Sequence, residues 1–407
     1  MPAAVPPPTA CLDVDFWRDA RQVAELLGDP SIRSCEVSPW TGGGGASADA
    51  HVLRVGRAAA DGGAERSTEY FLKTTAPGKL GVSKAVGLAR EGIILGVAPE
   101  LPALARVAPK CLFAHGDMDE GKKVLVMHMV RGVQSGYFFG NHSPHNWGKD
   151  IAVLTASCPA IDEERVCCMA AEVAAKLHAT AWGKEETLLH DSKFSALRSR
   201  GWARGEDQES WQSTQGWATT GWATAKENLM GPESKIVWDP LMIRVMDAAM
   251  ARTTWEAYQA EWSKLTKTLL HGDFHPANMI VVPKNGDAGD EATDHEIVLL
   301  DWEVVGVGSG PQDLGQYMIS HSTPASRRAL APKMIAAYVA ALAAEGVETS
   351  VEAVMEEYVR GGLGRWLWLL PVCCSMEPAW VQYFQDQVAA FIHDHGITPE
   401  TAPIVRA

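Results

Sequence analysis

The chain has 407 residues, 46% of them hydrophobic, and a formal net charge of −14. That length suits two or three domains, with ample apolar material for a core. The acidic balance speaks against a nucleic-acid partner, which wants a basic face, and against a polybasic membrane anchor. Met1-Pro2-Ala3-Ala4-Val5-Pro6-Pro7-Pro8 has neither a basic nor an apolar leader region and is expected to be a flexible tail, not a secretory signal. Phe16, Val23, Leu26 and Leu27 predict a helix over Asp15–Leu27. Strands are predicted at 34–40, 51–55 and 70–74. The run Gly42-Gly43-Gly44-Gly45 falls between the first two and reads either as a hairpin turn or as backbone able to approach phosphates. A helix over Val82–Leu95 carries Glu91, and further strands follow at 110–114 and 123–129.

Beyond Val130 the pattern turns helical. Asp162-Glu163-Glu164 puts acid into a first turn, and Val166, Met169, Val173 and Leu177 recur at helical spacing toward Trp182. Residues 196–232 carry Trp202, Trp211, Trp217 and Trp222 at unequal intervals and read as a Trp-bearing loop or broken helix. Met279–Val282 and Ile297–Leu300 predict a hairpin around a polar loop. Helices close the chain: 325–344, one opened by a capping box Thr349-Ser350-Val351-Glu352, and 378–393. No apolar run is long enough for a membrane span, and Trp366–Val372, interrupted by Pro371, reads as core. The eight cysteines form no CxxC pair and are expected to be free thiols of a reducing, cytoplasmic setting.

The chemistry concentrates in His271-Gly272-Asp273-Phe274-His275-Pro276-Ala277-Asn278, followed by Leu299-Leu300-Asp301-Trp302-Glu303. A loop Asp can take or orient the proton of an attacking hydroxyl. An Asn five residues on and an Asp after the next strand can hold Mg²⁺ against nucleotide phosphates. Pairing the two strands antiparallel is expected to return Asp301 toward the loop of Asp273 and Asn278. A rival reading places His271, Asp273 and His275 on one face of a strand as a metal-dependent hydrolase site. It leaves Asn278, Asp301, Lys73 and Glu91 without roles. A nucleotide-binding protein that has lost catalysis is a third reading, and the presence of Asp273, Asn278, Asp301 and Lys73 together speaks against it.

The same run resembles the catalytic core of the aminoglycoside phosphotransferase and choline kinase superfamily, with its HGDxxxxN loop and an Asp in an aliphatic-Asp-Trp setting. Leu177-His178-Ala179 is similar to the helix that precedes the catalytic loop in the ecdysteroid-kinase-like branch. The resemblance implies an α+β, bilobal protein-kinase-like fold: tail and helix over 1–30, a β-rich N-lobe over 31–129 and a mainly helical C-lobe over 130–407. It implies ATP and Mg²⁺ as cofactors, Asp273 as catalytic base, and Asn278 and Asp301 as Mg²⁺ ligands. His271 would buttress the loop, and Asp313 would brace it. Lys73, at the end of the third strand, would reach the phosphates and pair with Glu91 on the next helix. Gly42 to Gly45 would lie over the phosphates, and Met127 and Met129 beside the adenine. The acceptor implied is a small molecule bearing a hydroxyl; the tryptophans could cage a cation, line an apolar slot or simply pack.

Overall fold

The computed structural model describes residues 7–41, 48–59, 64–197, 202, 208–284 and 294–406. The chain divides into two units. One comprises Met1–Val130, Lys193–Arg200 and Asp301–Val304; the other comprises Arg131–Ser192, Gly201–Leu300 and Val305–Ala407. The β-rich first part and mainly helical remainder agree with the α+β expectation. Gly42 to Gly45 lie outside the described residues.

The first unit is built on an antiparallel sheet of order β1-β2-β3-β5-β4: β1 Ile32–Pro39, β2 Ala48–Arg57, β3 Arg66–Thr75, β4 Cys111–Asp117 and β5 Lys122–His128. Successive side chains of a strand point to opposite faces. Tyr70 and Leu72 of β3 therefore join Leu53, Val55, Val124 and Val126 in a core covered by Trp17, Phe16 and Leu12. Lys73 falls on the other face, opposite Leu125 of β5. The chain near the N-terminus is part of this core: Trp17 is fully buried and its indole donates to the Cys11 carbonyl at 2.8 Å. The helix expected over 15–27 begins later, at Ala20–Leu27, because Asp19 caps it by accepting from the Arg21 and Gln22 amides. The helix expected over 82–95 is two helices, Leu80–Val86 and Arg90–Val97, separated where Gly87 turns at φ 73°.

The second unit holds two small sheets. β6 Val133–Gln134, β8 Met279–Pro283 and β9 His295–Leu299 form one, and β7 Thr268–Leu270 and β10 Gly306–Gly308 the other. The expected hairpin is β8–β9, with Met279 opposite Leu299. Helices make up most of the rest: Glu163–His178, Gln208–Leu229, Pro240–Arg252, Pro311–His321, Pro324–Ala344, Val351–Cys373 and Pro378–Asp394. The loop or broken segment expected over 196–232 is corrected, since Gln208–Leu229 is one unbroken helix. Its buried residues, Trp211, Gln215, Ala218, Trp222 and Ala225, recur every three or four positions and form a single stripe. The capping box also shifts by one residue: Ser350 is the N-cap, accepting from the Ala353 amide at 3.1 Å. Pro371 is accommodated inside the helix Val351–Cys373.

Helices Pro311–His321 and Val351–Cys373 cross where two glycines meet. A Cβ on Gly315 would lie 2.4 Å from the Gly362 Cα. This contact lets the helix of Asp313 and Gln316 lie directly on the helix of Arg365, which matters for the site below. Gly362→Ala should therefore cost about 1–3 kcal/mol by overpacking. Gly216→Ala, in an open part of its helix with no atom within 4 Å, should instead gain up to about 1 kcal/mol. Urea unfolding midpoints moving in opposite directions check the pair.

Candidate active site

In the first unit Lys73 and Lys123, on the face of β3 and β5 away from the core, meet three carboxylates from elsewhere, Glu91, Asp301 and Glu303. The Lys73 ammonium lies 2.8 Å from Glu91 Oε2, 2.9 Å from Asp301 Oδ1 and 3.2 Å from Glu303 Oε1. The Lys123 ammonium bonds both Glu91 and Glu303. Glu91 also accepts from the Trp302 amide at 3.2 Å. All but Asp301 are nearly buried, and Asp301 is 29% exposed at its side chain. Three carboxylates face two ammoniums, a formal balance of one negative charge. Burial pushes the Lys73 pKa down, but Glu91, Asp301 and Glu303 outweigh it and hold it well above its usual value. Burial likewise pushes Glu91 up, and Lys123 and Lys73 overcome that to keep it below the usual carboxylate range. Both members of the expected pair are thus charged.

Asp301 is the one non-glycine among the described residues with positive φ, at 63°. Such backbone is uncommon outside glycine and tends to occur where a side chain must be aimed. Met127 sits inside β5, paired with Phe71 and Cys111, and is buried; Met129 follows the strand half-buried. Of the two methionines expected beside the adenine, Met127 thus lies within β5 and Met129 just beyond it.

In the second unit β7 ends at Leu270, and the chain turns at Gly272 (φ 79°) into the loop of Asp273. Asp273 is gripped from three sides. Gln316 donates to its Oδ1 at 2.9 Å, Asn278 donates to its Oδ2 at 3.0 Å, and His275 Nε2 lies 3.4 Å from Oδ2. Its side chain remains 33% exposed. Burial raises its pKa, but His275, Arg365 and His271 more than reverse this and hold the carboxyl far below its usual range. Arg365 works through the loop as well, donating to the Gly272 carbonyl at 2.9 Å and lying 3.4 Å from Gln316 Oε1.

The loop itself is braced. Asp313 accepts from the His271 amide at 3.0 Å, and its other contact is His178, whose Nε2 lies 3.4 Å away. The His271 ring is buried, and its Nε2–H donates to the Leu300 carbonyl at 2.9 Å. The Leu300 amide in turn donates to the Asn278 carbonyl at 2.8 Å. His271 thus serves the loop's shape.

Oxygen donors are what Mg²⁺ requires. The Asn278 amide nitrogen is committed to the Asp273 carboxylate and to the Asp273 carbonyl at 3.1 Å, which orients its Oδ1 as the atom left for a cation. The Asp301 side chain, in the first unit, is likewise an oxygen donor. The donor types therefore suit the metal. The hydrolase trio fares worse, because residues 271–275 are loop and not strand, and His271 is spent on Leu300. Among the described residues, the group that brings three candidate ligand atoms within 4.8 Å of one another is Glu91, Asp301 and Glu303.

Four residues of the two clusters had escaped assignment: Lys123, Glu303, Gln316 and Arg365. Each carried a signal. Lys123 alternates with Leu125 and Met127 and so shares the face of Lys73. Glu303 lies two residues past Asp301. Gln316 is nearly one helical turn beyond Asp313. Arg365 is a lone charge in the apolar stretch Leu363–Leu367.

The ecdysteroid kinase-like family model matches residues 160–348, as the likeness drawn from Leu177-His178-Ala179 anticipated. That stretch contains Asp273, Asn278, Asp301 and Asp313, while Lys73 and Glu91 precede it. No curated protein gives a match. Among solved structures, a choline/ethanolamine kinase family protein from Mesorhizobium loti is similar at 15% identity and a TM-score of 0.46, over 94% of this chain and 95% of that one. A choline kinase from Streptococcus pneumoniae is similar at 13% identity and 0.46, over 92% and 98%. A microcompartment-associated aminopropanol kinase is similar at 13% and 0.41, over 94% and 99%.

Two outcomes follow from the electrostatics. Lys123→Met leaves Glu91 and Glu303 sharing Lys73 in a buried place and should cost about 3–5 kcal/mol, read by denaturant unfolding. His145, stacked on His321 at 4.8 Å, is pushed by burial, then by His275 and Lys149, from near 6.5 down to about 4. The unfolded imidazole takes its proton first, so stability should fall as pH drops from about 6.5 toward 4. His145→Gln should flatten that limb of the stability profile; an unchanged slope would remove His145 from it.

Proposed function

We propose that the chain is an ATP-dependent small-molecule kinase that transfers the γ-phosphoryl group to an acceptor hydroxyl. The observation that carries the reading is Asp273: an ionised, partly exposed carboxylate fixed by Gln316 and Asn278 and backed by Arg365. Such a carboxylate orients an acceptor hydroxyl and takes its proton as the oxygen attacks phosphorus. Its fixed geometry supplies the positioning that phosphoryl transfer chiefly needs.

The remaining roles divide by chemistry. Lys73 neutralises phosphate charge, and Glu91 holds its ammonium in place. Asn278 and Asp301 are the proposed Mg²⁺ ligands; the metal supplies neutralisation of charge on the triphosphate. Lys73, in contact with Asp301 at 2.9 Å, exchanges part of that contact for phosphate oxygens as nucleotide binds. Gly42 to Gly45, Met127 and Met129 keep their proposed places along the nucleotide. Asp313 and His271 act only by holding the loop of Asp273. A reducing, cytoplasmic setting fits the eight free thiols, and among the described residues no helix is long and apolar enough to cross a membrane.

Mg-ATP should raise the melting temperature of the purified chain, and a zinc chelator should leave activity unchanged. A panel of hydroxylated small molecules, read by ADP release, should then contain at least one acceptor that is silent with Asp273→Ala. No nucleotide effect on melting, together with one equivalent of bound zinc, would favour the hydrolase reading instead.

A further inference from the structure

Outside both clusters, the junction of helices Pro324–Ala344, Val351–Cys373 and Pro378–Asp394 holds a partly open cavity of about 130 Å³. Arg327, Arg328, Tyr358, Asp394 and His395 line it. Arg327 is only 2% exposed and lies over the Phe391 ring at 5.4 Å. One arm of its guanidinium donates to Gln387 Oε1 at 2.8 Å, and another stands 3.5 Å from Asp394 Oδ2. The arm facing Asp394 is Nη2, which is ion-paired there without hydrogen-bond geometry; among the described residues, Nε finds no hydrogen-bond acceptor. The Tyr358 hydroxyl, on a fully buried side chain, likewise finds no partner. Arg328 sits at the exposed rim and donates to Asp394 Oδ1 at 2.7 Å.

Buried donors without acceptors are costly, and a guanidinium more so than a neutral group. Here Arg327 Nε and the Tyr358 hydroxyl are both able to donate, and the two side chains that carry them line one cavity. Two guanidiniums share the Asp394 carboxylate, a formal excess of one positive charge among these three groups. A water molecule would supply an acceptor but no charge. What matches both needs is a negatively charged group whose oxygens accept from several donors at once, as guanidinium recognition of carboxylate and phosphate does. The small volume limits it to a compact group.

We propose that this cavity is a binding site for a compact oxyanion, a carboxylate or a phosphate group, with Arg327 and Tyr358 as its floor and Arg328 at its entrance. The site is separate from the phosphotransfer residues and does not depend on that reading.

The test is calorimetric titration of the full chain with inorganic phosphate and, separately, with acetate, at constant ionic strength in chloride. Saturable binding of one or both is expected, and the preferred probe tells which oxyanion the site takes. Tyr358→Phe keeps the ring and removes one donor, so affinity should fall about tenfold. Arg328→Gln should weaken binding as well. Arg327→Met should abolish it, and because that variant removes a buried charge, its circular dichroism spectrum is recorded alongside. If neither probe binds saturably, or if binding is unchanged in both Tyr358→Phe and Arg328→Gln, the proposal is overturned.

Discussion

Keeping one carboxylate charged in a confined place is the constraint around which the second unit is arranged. Burial alone would drive Asp273 toward its neutral form. The chain opposes this with donors and positive charge: Gln316 and Asn278 on the oxygens, His275 beside them, and Arg365 behind the loop. These groups come from three separate stretches of sequence, so the helix packing that unites them is part of the chemistry. The glycine contact at 315 and 362 is what brings the Gln316 and Arg365 helices close enough. A side chain there would push apart the two residues that hold the loop.

The first unit solves a related problem with opposite bookkeeping. Its five charges are mostly removed from water, where isolated ions are expensive. Each buried carboxylate touches an ammonium, and Glu91 and Glu303 each touch both. Lys73 is thereby held among three carboxylates, while Lys123 keeps Glu91 and Glu303 from depending on Lys73 alone. One excess negative charge remains, which suits a site expected to take a cation. Asp301 is the most exposed member and the one with strained backbone, a combination appropriate to a residue that must change partners.

Much of this was legible in the sequence because the signals were local. Asp273 and Asn278 share one short loop, the β8–β9 hairpin is written in two apolar runs, and Lys73 sits at the end of a plain strand pattern. Burial of Trp17 against the sheet was not legible, since the proline-rich start masks a segment that packs tightly. The long helix Gln208–Leu229 was hidden by Gly216, Gly221 and its many Ser, Thr and Gln residues, although its buried stripe has helical spacing. Lys123, Gln316 and Arg365 were missed for a different reason. Their partners are remote in sequence, and only folding shows that their charges or amides have somewhere to go.

The most direct measurement pairs two readouts on one variant, Asp273→Asn, which preserves shape and removes the basic oxygen. Equilibrium binding of Mg-ATP should stay close to wild type, while single-turnover phosphoryl transfer to an identified acceptor slows by about 10²-fold or more. Transfer at a near-normal rate in that variant would contradict the role given to Asp273, and with it the proposed mechanism.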